Sequence, residues 1–77
     1  MEDIFVFTGT VTYAMRGADT LKRNGYKAEV RRRKGDGYGC GYGIYIKNAD
    51  IDEVIGSLTE NGVKILGTRS MKNGISG

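Results

Sequence analysis

Cys40 is the residue in this chain best suited to covalent chemistry, because it is the one thiol present and there is no histidine to activate any other nucleophile. It sits in Gly35-Asp36-Gly37-Tyr38-Gly39-Cys40-Gly41-Tyr42-Gly43, where every second residue is glycine. With Gly39 and Gly41 on either side, the thiol has little side-chain cover, and nearby backbone N–H groups can close on an anion or a forming thiolate. Four cations, Arg31, Arg32, Arg33 and Lys34, precede the run. Folded back over it, they would favour thiolate over thiol and raise reactivity near neutral pH. The other outcome is a small buried apolar residue, the commonest state of a free cysteine. Cys40 has the parity of Tyr42, Ile44 and Ile46, so an unbroken strand turns its sulfur toward the core, whereas a glycine bulge before Tyr42 reverses that. The residues alone leave both outcomes open.

Several chemistries are excluded. One cysteine makes no internal disulfide, and without histidine the usual zinc ligand sets cannot assemble. Triads pairing Ser or Cys with His cannot exist within one chain. Any catalysis would rest on the thiol or on carboxylates, and no cofactor is expected. Asp50, Asp52 and Glu53 lack the spacing of a calcium loop and suit the first turn of a helix instead. The glycine run is not a dinucleotide fingerprint, because Tyr42 stands where the third glycine belongs and the run leads into a strand. No phosphate-loop Gly-Lys-Ser/Thr occurs.

The elements that must position Cys40 can be read from periodicity. Ile4-Phe5-Val6-Phe7 is a strand, closed by Thr8-Gly9-Thr10. Apolar residues at Val11, Ala14, Met15, Ala18 and Leu21 predict a helix over 10–24, stopped by Asn24-Gly25. Tyr26, Ala28 and Val30 alternate with charged residues as a strand that runs into the cations. The glycine run is then expected as a loop feeding a strand at Ile44-Tyr45-Ile46. Asn48 or Asp50 caps a second helix carrying Ile51, Val54, Ile55 and Leu58, ending at Asn61-Gly62, and Val63 to Leu66 form the last strand. With 77 residues, 39% apolar and 27% charged, the chain suits one small domain over 1–70, with 71–77 as a disordered tail.

The expected fold is α+β, in the order β-α-β-β-α-β: a ferredoxin-like two-layer sandwich with an antiparallel sheet and two helices on one face. Its core should contain Ile4, Val6, Met15, Ala18, Leu21, Val30, Ile44, Ile46, Ile51, Val54, Ile55, Leu58, Val63 and Ile65. No apolar run approaches the roughly 20 residues of a bilayer span, and the opening Met1-Glu2-Asp3 is unlike a secretory signal. A cytoplasmic protein without membrane association is expected.

The strand ending in Phe7-Thr8-Gly9-Thr10, the helix carrying Ala14-Met15 and Leu21-Lys22, the Asn24-Gly25 stop, and Cys40-Gly41 leading into a strand resemble the short bacterial DUF3343 family of selenium or sulfur carrier-like proteins. The likeness runs from about Ile4 to Leu66. Where that family commonly has a proline-containing basic segment before its cysteine, this chain has Arg31-Arg32-Arg33-Lys34 and the glycine run. The resemblance implies that Cys40 accepts sulfane sulfur or selenium and passes it on by thiol exchange. It also implies donor and acceptor proteins as partners, with the cationic block as their docking surface.

Two rival readings follow from the same order of elements. RNA-recognition domains share it and stack bases on aromatics of the first and third strands. Ile4-Phe5-Val6 and Gly41-Tyr42-Gly43 partly fit their motifs, but Cys40 occupies the basic position and Ile44 the second aromatic one. Nucleic acid is therefore disfavoured. Exposed Phe5 and Phe7 on the open sheet face would instead suit an interaction module that pairs with a second copy.

Overall fold

Alternation along the strands sets the two faces of the sheet, and the helices cover one of them. The computed structural model describes residues 2–35 and 39–71, and for Arg33, Lys34, Gly35, Gly39, Cys40 and Met71 the backbone alone. Strand β1 (Glu2–Gly9) is followed by helix α1 (Val11–Arg23), β2 (Lys27–Gly35), β3 (Gly39–Ala49), helix α2 (Ile51–Glu60) and β4 (Gly67–Met71). The sheet has the order β2-β3-β1-β4, and every neighbouring pair is antiparallel. This is the expected α+β, ferredoxin-like sandwich: Ile4, Val6, Ala28, Ile44 and Ile46 meet Ala14, Ala18, Leu21, Val54 and Leu58 in one core cluster. Alternation turns Phe5, Phe7 and Tyr45 to the other face.

Both helices begin and end by the same local devices. Thr10 caps α1 by accepting from the Tyr13 N–H, and Asp50 caps α2 by accepting from the N–H groups of Asp52 and Glu53. At the far ends, Asn24-Gly25-Tyr26 and Asn61-Gly62-Val63 both form Schellman stops. Gly25 (φ +92°) and Gly62 (φ +75°) take the left-handed conformation. Tyr26 N–H reaches the Leu21 carbonyl at 3.0 Å, and Val63 N–H reaches the Leu58 carbonyl at 3.0 Å.

Several sequence expectations are corrected. Met15, assigned to the core, is 57% exposed. The buried stripe of α1 is Ala14, Gly17, Ala18 and Leu21, which leaves Met15 at its margin; Gly17 lets the helix settle onto Ile44 and Leu58. Val30, Ile51, Ile55 and Ile65 are partly rather than fully buried. The last strand is Gly67–Met71, not Val63 to Leu66. Closure of α2 commits Val63 to the core, so the ladder with β1 starts only at Phe7↔Gly67. The glycine run is largely strand: the β2–β3 ladder continues from Lys27↔Lys47 to Gly35↔Gly39 with no register shift, hence no bulge before Tyr42. Of the tail expected over 71–77, Met71 closes β4 and 72–77 lie outside the described residues.

Candidate functional site

The β2–β3 hairpin outreaches its neighbour. Pairing between β1 and β3 ends at Gly9↔Tyr42, while β2 and β3 go on pairing through Arg33↔Gly41, Lys34↔Cys40 and Gly35↔Gly39. Cys40 thus lies on a two-stranded ribbon beyond the end of β1. We call this the distal end, and the end where β1 starts and β3 finishes the proximal end. The cationic block fills the strand opposite Cys40, with Lys34 as its direct ladder partner.

Two contacts seat the ribbon against the end of β1 and the cap of α1. Thr8 is buried, and its hydroxyl lies 3.1 Å from the Thr10 carbonyl and 3.2 Å from the Tyr42 carbonyl. One hydroxyl therefore bridges the cap of α1 and β3 at a point two residues from Cys40. Gly41 packs so closely that a Cβ there would sit 3.2 Å from the Gly9 carbonyl oxygen. The first turn of α1 contains no acidic residue, so the positive end of its dipole is unmasked on the side of the ribbon. Val11, Met15 and Leu66 are the exposed large apolar residues among those described. Val11 and Met15 stand one turn apart at the start of α1, and Leu66 lies against Gly9.

The sequence-predicted site residues are not all gathered here. Gly39, Cys40 and Gly41 share the ribbon strand; Arg33 and Lys34 are the ladder partners of Gly41 and Cys40, Gly39 pairs with Gly35, and Arg32 stands one step further along, opposite Tyr42. Arg32 is exposed; the side chains of Cys40, Arg33 and Lys34 lie outside the described residues. Arg31 turns away toward the proximal end. Its guanidinium carbon stands 4.3 Å from the centroid of the Tyr45 ring, and its Nη2 lies 3.3 Å from Glu29 Oε1.

The open face also differs from expectation. Phe5 and Phe7 are 1% and 7% exposed, although they point away from the helices. Their rings meet edge to face with centroids 4.7 Å apart, and Phe5 lies on Gly43, where a Cβ would fall 2.6 Å from the ring. The solvent-exposed phenylalanine surface on which base stacking or pairing of two copies would depend is therefore missing.

A proximal cluster escaped the sequence reading. Tyr45 hydroxyl donates to Asp3 Oδ2 at 2.7 Å, and Asn48 N–H donates to Asp3 Oδ1 at 2.9 Å. These bonds hold the Asp3 carboxyl below its ordinary range, the tyrosine bond first and the Asn48 amide second, and the same contact with Asp3 raises the Tyr45 hydroxyl. Asn48 has a left-handed φ of 52° where β1 and β3 slip register between Glu2↔Ala49 and Ile4↔Ile46. The only sequence signal was an asparagine tolerant of that conformation.

Among the described residues no group of acids could hold a metal ion, and no helix is long and apolar enough to cross a membrane. No family model, curated protein or solved structure matches the chain.

Proposed function

We propose that this protein carries a sulfur or selenium atom on Cys40, in the manner of the DUF3343 proteins it resembles, within the reducing cytoplasm. The observation that carries the reading is the placement of Cys40 on a cationic ribbon beyond β1, two residues from the point where Thr8 ties β3 to the cap of α1. Cations and a helix dipole that no first-turn carboxylate offsets favour an anionic sulfur, and the thiolate is the form that exchanges. In the transfer, the Cys40 thiolate attacks the outer sulfur of a donor persulfide. A new sulfur–sulfur bond forms at Cys40, the donor's own sulfur–sulfur bond breaks, and the donor leaves as a thiolate, with no net oxidation. The reverse step on an acceptor thiol unloads the carrier. Val11, Met15 and Leu66 offer apolar contact to donor and acceptor proteins at the same end.

RNA binding has weaker support, since Tyr45 is left as the stacking residue of the open face and its ring already carries Arg31. Incubation with a cysteine desulfurase and cysteine, followed by intact-mass measurement, tests the carrier. Wild type should gain one sulfur atom that dithiothreitol removes, and Cys40→Ser should gain none. Wild type that stays at its starting mass would end the proposal.

A further inference from the structure

A cleft of about 420 Å³ lies on the free edge of the sheet at the proximal end, away from Cys40. Tyr26 and Tyr45 contribute to its wall, and Lys22, Lys27, Lys47 and Glu29 give it charge. Lys27 and Lys47 are direct partners in the β2–β3 ladder, and both are exposed. Like charges held opposite each other work against strand pairing.

The acids nearby already have hydrogen-bond or ion-pair partners, although the Lys47 ammonium also acts on the Asp3 carboxyl at longer range. Glu29 holds Arg31, Glu53 accepts the Tyr26 hydroxyl at 2.6 Å, and Asp3 accepts from Tyr45 and Asn48. Among the described residues, Lys22, Lys27 and Lys47 have no carboxylate within ion-pair distance. Lysines on an edge strand also discourage sheets from pairing with one another. That role accounts for Lys27, but not for a third ammonium brought to the same cleft from the last turn of α1.

We propose that this cleft binds the dianionic phosphate of a small phosphorylated molecule. Lys27 and Lys47 hold the phosphate across the ladder as point charges, Lys22 closes on it from the helix, and Tyr26 receives the organic part, since the Tyr45 ring already carries Arg31. The volume is that of a small-ligand site. Binding here is independent of sulfur transfer at the distal end.

The test is a titration of the full chain, at fixed ionic strength, with AMP, inorganic phosphate and a short single-stranded oligonucleotide, followed by amide chemical shifts. AMP should give saturable shifts at Lys22, Lys27 and Lys47, with a Kd on the order of 1 mM or tighter, and inorganic phosphate should bind the same residues more weakly. Lys27→Gln and Lys47→Gln should each weaken AMP about tenfold, while Lys64→Gln, an equal loss of charge outside the cleft, should change nothing. All three lysines are exposed, so the variants keep the fold, and melting curves verify it. Absence of saturation by about 10 mM, equal weakening by Lys64→Gln, or tighter binding of the oligonucleotide than of AMP overturns the proposal.

Discussion

The hydroxyl of Tyr45 joins two strands through one carboxylate, and pH reads that link directly. Because the Tyr45 hydroxyl and then the Asn48 amide hold Asp3 below its ordinary value of 3.8, the folded chain prefers the ionised carboxyl. The resulting stability is complete above the unfolded carboxyl's pKa and is lost as pH falls through the lower folded value. For Tyr45 the sign is opposite: its raised pKa gives stability that is complete below the unfolded value and lost as pH rises through the folded one. Tyr45→Phe should therefore flatten both limbs of the curve of unfolding stability against pH, measured by urea denaturation. An acid limb identical to wild type would contradict this account. Alternation made the outward direction of Tyr45 legible in the sequence. Its partner was not legible, because Asp3 reaches it only through a register slip whose residues carry no periodic mark.

Within the helices, two glycines of equal intrinsic cost should respond oppositely to the same substitution. At Gly56 a Cβ would meet nothing within 4 Å, whereas at Gly17 it would fall 2.5 Å from Ile44 Cδ1 and 2.9 Å from Leu58 Cδ2. Gly56→Ala should stabilise by about 0.5–1 kcal/mol through backbone entropy. Gly17→Ala loses that gain to overpacking and should destabilise by about 1–2 kcal/mol. Thermal melts that move in the same direction for both would refute the contrast. The helices, their caps and their Asn-Gly stops were readable because each depends on residues a few positions apart. Met15 lies outside the core because a small-residue face at Ala14, Gly17 and Ala18 fixes the buried side of α1, and hydropathy gives glycine no weight. The last strand starts beyond Val63 to Leu66 despite their strand-like composition, because the fate of Val63 is set by its bond back to Leu58. The glycine run has the composition of a loop, because composition hides what its partner strand supplies: a continuous ladder across from four cations.

Taken as a whole, the molecule separates its features by end. The ribbon with Cys40 and the apolar residues Val11, Met15 and Leu66 are distal; the Asp3 cluster and the lysine cleft are proximal. If the distal cations guide a donor protein, Arg32→Glu should slow loading from a desulfurase and leave loading from inorganic polysulfide unchanged. The difference should shrink as salt rises from about 0.05 M to about 0.5 M; equal slowing with both donors would show that the charge acts on the thiol itself. The order of strands and the candidate cysteine could be read from sequence, but this division could not, because it arises from where β1 stops short of the hairpin. The pairing of Asp3 with Met71 has a practical consequence. β1 starts and β4 ends at one shared proximal corner, so polypeptide joined directly to either strand sets out from the end of the sheet opposite the Cys40 ribbon.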